Sequence, residues 1–139
     1  ISPEAPIPVM RVLREDQRLG GAGNVVMNLA TLGAEVLVCG VTGKDKTGRT
    51  ILKLLSENGV DYSVVPIAEN HKRCLKHRMI AGQTHLLRMD IDPDPDSHLP
   101  QKQLISYLEK TIPSSDAVVV SDYGKGLLRS KTLEAIATC

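Results

Sequence analysis

The first half of the chain alternates between apolar runs and segments with helical periodicity. Residues 35–41 form a nearly continuous apolar run, which is typical of a strand buried on both faces of a parallel sheet. Apolar residues at helical spacing occupy 25–32 before this run and 51–55 after it, and a further apolar run covers 60–67. This order predicts an α/β fold with a mostly parallel sheet and helices on its faces.

The pattern changes after residue 72. Residues 73–80 and 84–91 alternate polar and apolar side chains, and Ala81-Gly82-Gln83 joins them, which predicts an antiparallel hairpin with one solvated face. We expect this hairpin to be a flap over the sheet, because its alternating pattern differs from the continuous apolar runs of the core.

Three further elements complete the prediction. Helical spacing over 99–112 predicts a helix, the apolar run 116–121 predicts another buried strand, and Ser130 opens a last helix. Residues 9–14 are mostly apolar but contain two arginines, which favours an edge strand.

Composition narrows the classes of function. The 139 residues carry a net charge of +1, so the large one-signed field that attracts nucleic acid or anionic membranes is missing. The absence of Trp and Phe argues against base-stacking platforms, and no apolar run reaches the length of about 18 residues that indicates a membrane helix. We therefore expect neither nucleic acid nor membrane as a partner.

Cysteine and histidine give no pattern of a metal site. Cys39, Cys74 and Cys139 lie far apart without CxxC spacing, and the four histidines form no helical i, i+4 pair. We expect no bound metal, and an odd set of separated cysteines fits a reducing cytoplasm best.

The glycines before the first helix point to a ligand, but not through a nucleotide motif. The GxGxxG pattern fails at Val26, and Walker A fails at Val38 and Asp45. What remains is Gly20-Gly21 with Asn24 at the helix start, where a polyol could approach the backbone. A glycine turn with Asn24 as the helix cap explains the same residues.

Longer segments resemble a known family. Residues 20–24, 32–33 and 40–48 resemble the first signature of the ribokinase-like, PfkB-type sugar kinases, while 1–9 and 121–127 are similar to the heptose 7-phosphate kinases among them. Those kinases are often half of a bifunctional ADP-heptose synthase. The resemblance spans the whole chain and implies part of a Rossmann-like ribokinase fold over 1–139, with small β-lid strands near 7–14 and 72–91.

The resemblance also implies an activity and a set of binding residues. The activity is transfer of the ATP γ-phosphate, with Mg²⁺, to the anomeric hydroxyl of D-glycero-D-manno-heptose 7-phosphate, a step towards the lipopolysaccharide core. Sugar hydroxyls are expected at Gly20, Gly21 and Asn24, and the sugar phosphate at the lid. The implied lid and cleft residues are Lys76, Arg78, Arg88, Asp122 and Lys125.

The chemistry of these residues leaves a second interpretation open. Alternate strand residues share a face, so Lys76 and Arg78 can hold one phosphate together, but a solvated strand face has the same pattern. Asp122 ends a predicted parallel strand, where α/β folds bind ligands, and Asp122 and Lys125 can equally be a turn residue and a surface lysine.

Other parts of the family pattern are not found. Neither the Gly-Ala-Gly-Asp turn with its catalytic base nor the carboxyl-terminal ATP-binding half is recognisable, so we expect no catalytic residue in this sequence. Val26, and Thr84-His85 in place of a usual Gln pair, also depart from the family. The alternatives are an inactive sugar-phosphate-binding or dimerisation module, or a kinase for another sugar; a homodimer through the β-lid is a further expectation.

Overall fold

The computed structural model describes residues 2–62, the backbone of 67–68, and residues 74–92 and 99–139. The part described contains the four helices that the apolar periodicity predicts. A short 3₁₀ turn, Ile112–Ser114, follows the third helix. The helices are α1 (Ala22–Thr31), α2 (Lys46–Glu57), α3 (Gln101–Thr111) and α4 (Ser130–Thr138).

A small aliphatic core joins the first two helices. Val26 of α1 and Leu55 of α2 are buried together with Val60, and partly buried Val36 and Val38 pack against them. Asp45 caps α2, because its Oδ1 accepts a hydrogen bond of 2.8 Å from the Gly48 amide. The core therefore packs α1 and α2 against the segment that contains Val36 and Val38.

The glycine of the first turn of α2 is required by packing. A Cβ atom at Gly48 would collide with the carbonyl oxygen of Gly43, so the helix approaches the preceding loop as closely as backbone allows. This contact explains why residue 48 is a glycine.

Two segments run parallel, as in an α/β fold. Leu37 bridges Asp61, and farther along β1 (Thr42–Gly43) pairs with β2 (Ile67–Ala68) in the same direction. The parallel pairing and the helices confirm the α/β class. The middle of the predicted strand 60–67 lies outside the described residues.

The predicted extents of three strands are wrong. Segment 35–41 makes only the bridge at Leu37, and the described residues of 9–14 and 116–121 belong to no strand. Val119 is 60% exposed and Val12 is 76% exposed. Apolar, β-branched composition favours a strand only where a neighbour supplies hydrogen bonds, and none of the described segments pairs along these runs.

The hairpin is present. β3 (Leu75–Ala81) and β4 (Thr84–Ile91) pair antiparallel with one register shift between Met79 and Ile80. Gly82 lies in the turn with a φ of +61°, a conformation that favours glycine. Residues 72–73 of the expected lid lie outside the described residues, and the expected lid segment 7–14 forms no strand in the described structure.

The last two helices pack against each other. Leu104 and Leu108 of α3 and Ala135 of α4 are buried, as is the Thr132 side chain. Among the helices in the described ranges, none has both the length and the apolar character required to cross a bilayer.

Candidate functional site

The register of the hairpin places the predicted cations on one face. Lys76 lies opposite Asp90, and Arg78 lies opposite Arg88. Residues directly opposite in an antiparallel pair share a face, and so do alternate residues along each strand. We call Lys76, Arg78, Arg88 and Asp90 the charged face of the hairpin.

The charged face contains a like-charged pair. Arg78 and Arg88 are cross-strand partners, an arrangement that costs roughly 0.2–1 kcal/mol relative to a neutral pair. Asp90 offsets part of this cost, since its Oδ1 lies 3.0 Å from Arg88 Nε. Two opposed guanidinium groups with one carboxylate leave the face with an excess of positive charge.

A hydrogen-bonded cluster lies at the base of the hairpin. Asp92 Oδ1 accepts a hydrogen bond of 3.3 Å from Cys74 Sγ and one of 2.7 Å from Lys125 Nζ. Sequence reasoning missed Cys74 and Asp92 as members of the site. Both continue the alternation of the charged face by one residue past the strands, so a longer reading of that alternation would have found them.

The cluster keeps its charged groups ionised. The hydrogen bond from Lys125 lowers the pKa of the Asp92 carboxyl, and the same bond raises the pKa of the Lys125 ammonium. Burial, followed by the bond to Asp92, raises the pKa of the Cys74 thiol. The ion pair is therefore formed at neutral pH, beside a protonated thiol.

The loop that carries Lys125 is held by its own contacts. Asp122 Oδ1 accepts a hydrogen bond of 2.8 Å from the Gly124 amide, so Asp122 is a turn residue as the second interpretation predicted. Lys125, in contrast, is not an isolated surface lysine, since it binds the base of the hairpin. The loop is therefore joined to the hairpin through Lys125.

Helix α3 fixes the far end of this loop. Gln101 Nε2 donates a hydrogen bond of 3.1 Å to the carbonyl oxygen of Leu127, and Gln101 Oε1 accepts one of 2.6 Å from the Thr132 hydroxyl. Thr132 is fully buried, so its hydroxyl depends on this partner. One side chain therefore ties the loop to both α3 and α4.

The turn that contains Gly20 and Gly21, which we call the glycine loop, packs against the loop that carries Lys125. Gly21 has φ 55° and ψ −127°, and a Cβ atom there would lie 3.5 Å from the Tyr123 ring. The Tyr123 ring therefore lies beside the glycine pair.

The helix cap is Gly21, and the interpretation of Asn24 as the cap is wrong. Asn24 is the third residue of α1, and its side chain is exposed. Its backbone N–H donates a hydrogen bond of 3.0 Å to the Gly21 carbonyl oxygen. The helix begins before Asn24 because the glycine at 21 already turns the chain.

An open groove of about 2420 Å³ is lined by residues from most of the described chain, between Met10 and Ile136, and most of the predicted residues are among them. A shared lining of this extent does not by itself place their side chains in contact. Neither Asn24 nor Arg88 lines it: Asn24 lies on the first turn of α1, and Arg88 pairs with Asp90. The predicted residues that line the groove are Gly20, Gly21, Lys76, Arg78, Asp122 and Lys125.

Three carboxylates of the described chain have structural contacts. Asp45 caps α2, Asp90 pairs with Arg88, and Asp122 holds its turn. Within residues 2–62, 74–92 and 99–139, no three His, Cys, Asp or Glu side chains form a group that could hold a metal ion. His71 and His98 lie outside these ranges.

Comparison with known proteins identifies relatives along the whole chain. Residues 3–139 match the pfkB family of carbohydrate kinases. The chain is 42% identical over 139 residues to the bifunctional protein HldE of Trichlorobacter lovleyi, covering 99% of this chain and 28% of that protein. It is 39% identical over 139 residues to the HldE protein of Helicobacter pylori, covering 99% and 30%, and 40% identical over 129 residues to that of Haemophilus influenzae, covering 93% and 27%. The chain thus spans less than a third of the curated relatives that it matches.

The Gln101 contacts generate a stability prediction. Replacing Gln101 by Ala removes the partner of the buried Thr132 hydroxyl, so we expect the free energy of unfolding to fall by about 1–3 kcal/mol. Chemical denaturation measures this loss. Gln103→Ala on the same helix is the control and should stay within about 0.5 kcal/mol, because Gln103 is exposed and its hydrogen bond to the Tyr107 hydroxyl is open to solvent. Equal losses for the two variants would contradict the role of Gln101.

Proposed function

The chain belongs to the pfkB family of carbohydrate kinases, and we propose that it forms the sugar-phosphate-binding, lid-bearing part of such a kinase. The substrate we infer is D-glycero-D-manno-heptose 7-phosphate, phosphorylated at its anomeric hydroxyl on the route to ADP-heptose. Similarity over nearly the whole chain to several bifunctional HldE proteins supports this substrate over other sugars.

The charged face of the hairpin carries the proposal. A phosphate monoester has close to two negative charges and three acceptor oxygens, and guanidinium groups bind such oxygens through charge-assisted hydrogen bonds. Arg78 opposes Arg88, and Lys76 follows on the same face. A phosphate between the arginines would convert a repulsive cross-strand pair into two favourable contacts.

The glycine loop would hold the sugar end of the substrate. Gly20 lines the groove, and no atom lies within 4 Å of the place where a side chain would begin, so a ligand can approach the backbone closely. The exposed amide of Asn24 on the first turn of α1 can donate to and accept from hydroxyl groups. We assign sugar binding to Gly20, Gly21 and Asn24.

Kinases of this family use ATP and Mg²⁺. No group of possible metal ligands occurs among the described residues, and Asp45, Asp90 and Asp122 are engaged in the contacts given above. We therefore assign no step of phosphoryl transfer to these residues and propose that nucleotide and metal bind elsewhere in a longer protein. We also place that protein in the cytoplasm, where the free thiols of Cys39, Cys74 and Cys139 would stay reduced.

The opposite face of the hairpin suggests a partner. Met79 opposes Leu87, and His77 opposes Met89, so this face is mostly apolar. Leu87 is 51% exposed and Met89 is 48% exposed. We propose that this face covers the same face of a second copy, forming a homodimer through the lid.

The alternative function is an inactive sugar-phosphate-binding module. The two functions differ in ATP turnover. We expect the 139-residue chain to bind heptose 7-phosphate without releasing ADP in a coupled assay, and a chain with the length of the relatives to release ADP when the sugar phosphate is present. Binding without turnover in the longer protein would favour the module.

The dimer predicts a response to charge on the apolar face. Met89→Glu would bury a carboxylate at the interface, so we expect the dissociation constant measured by analytical ultracentrifugation to rise by at least about tenfold. Glu57→Gln on α2 is the control. A monomeric parent chain at high concentration would contradict the dimer.

Phosphate recognition predicts a selective effect of Arg78. Arg78→Ala should weaken binding of heptose 7-phosphate by roughly 1.5–3 kcal/mol, about 10- to 150-fold, because a charge-assisted contact is lost. Affinity for the unphosphorylated heptose should hardly change. Isothermal titration calorimetry with both sugars gives the comparison.

Lys102→Ala is the control, since it removes an exposed cation of α3 that does not line the groove. We expect this variant to bind both sugars as the parent does. Equal losses for the two sugars in Arg78→Ala would contradict phosphate recognition. Unchanged affinity for both sugars would mean that the charged face is a solvated strand face without a ligand.

A further inference from the structure

Two segments distant in sequence meet at the base of the hairpin. Asp92 follows β4 directly, and Lys125 lies 33 positions farther along the chain, in the loop that begins at Asp122. Their side chains form an ion pair of 2.7 Å between Lys125 Nζ and Asp92 Oδ1. This contact links the hairpin to the loop, and the loop in turn packs on Gly21 through Tyr123.

The pair lies at one end of the charged face. Lys76 and Asp90 form a cross-strand pair of the charged face. The next two residues on that face, just past the ends of the strands, are Cys74 and Asp92. Successive pairs on one face of a hairpin are about 7 Å apart, twice the rise per strand residue. The Lys125 ammonium, bound to Asp92, is therefore held about one pair spacing from Lys76 although it belongs to another element.

The geometry of an ammonium leaves Lys125 with capacity for a ligand. It has three N–H donors, and the ion pair with Asp92 uses one of them. Asp92 and Lys125 stand together at the end of the face, one pair from Lys76 and two pairs, about 14 Å of strand, from the opposed Arg78 and Arg88. A phosphate that Lys125 reaches therefore lies on the Lys76 side of the two arginines.

We propose that Asp92 is a positioning residue, which holds Lys125 at the end of the charged face as a fourth cation for the substrate phosphate. The part of this assignment that concerns phosphate rests on the proposed function, whereas the joining of loop and hairpin does not. Both partners are substantially exposed, so the pair adds little to stability and acts mainly by fixing where the ammonium lies.

The ionisation of the pair agrees with a role at neutral pH. The pKa of Asp92 is lowered by Lys125, so the contribution of the pair is fully present above the ordinary aspartate value of about 3.9 and is lost as the pH falls through the lowered pKa. Over the neutral range Lys125 stays charged and bound.

Cys74 provides a reporter of the cluster that needs no ligand. Its thiol bonds to Asp92, and the charges that affect its pKa are Asp92, which raises it, and Lys125 and Lys76, which lower it. The experiment follows alkylation of each cysteine against pH by mass spectrometry of the whole chain. Cys39, whose pKa burial raises to about 11, serves as an internal standard.

The two variants move the Cys74 profile in opposite directions. Asp92→Asn removes a negative charge, so the midpoint of Cys74 alkylation should move to lower pH. Lys125→Met removes a positive charge, so the midpoint should move to higher pH. A Cys74 profile that is unchanged in both variants would overturn the joining of loop and hairpin, whatever the ligand.

Affinity for heptose 7-phosphate then tests the phosphate part. We expect Lys125→Met to weaken binding by about tenfold or more, and Asp92→Asn by about two- to fivefold. The double variant should bind no more weakly than Lys125→Met alone, because Asp92 acts through Lys125. Glu57→Gln, which breaks the Lys53–Glu57 pair on α2, is the control and should leave affinity unchanged.

The outcomes separate this inference from the proposed function. Additive losses in the double variant, or tighter binding by Asp92→Asn, would overturn the positioning role. If Arg78→Ala fails to discriminate between the two sugars while the Cys74 profiles shift as expected, the phosphate site is wrong and the Asp92–Lys125 link stands. Shifted profiles with non-additive affinity losses would support both.

Discussion

In an antiparallel hairpin, the pairing of one residue fixes the face of every other residue, and here that pairing is Arg78 with Arg88. The same register places four charged side chains on one face and leaves Met79, Leu87 and Met89 on the other. A slip by one position would exchange the two faces, bringing methionine and leucine to the loop that carries Lys125. The register shift between Met79 and Ile80 lies beyond this charged set, towards the turn. The chemistry of the charged face therefore depends on the alignment of two short strands.

Helices were predictable because their signal is local. Apolar spacing of 3–4 residues and the ends marked by Gly33 and Asn58-Gly59 locate α1 and α2 without knowledge of the rest of the chain. A strand depends on a neighbour, and composition does not say whether a neighbour is in place. The apolar run 35–41 therefore gave the right direction of pairing, through Leu37 and Asp61, but an extent that was too long.

The site also contains residues that a local pattern predicts and residues that depend on distant contacts. Lys76, Arg78 and Arg88 follow from the period of two along the strands, which is visible in the sequence. The pairing of Asp92 with Lys125 spans 33 positions and depends on how the loop folds over the hairpin, so no local pattern contains it. For Asn24 the residue type suggested a cap, but the glycine three positions earlier had already started the helix.

The valines at 118–120 affect how the protein behaves in solution. They are 46%, 60% and 46% exposed, respectively, in an extended segment that pairs with no described strand. Backbone amides and carbonyls beside β-branched side chains form a template to which a further strand can add, in the same chain or in a neighbouring molecule. Covering this edge within one molecule buries the valines, whereas covering it between molecules leads to β-sheet aggregates. The yield of soluble protein therefore depends on whether a strand of the same molecule covers this edge.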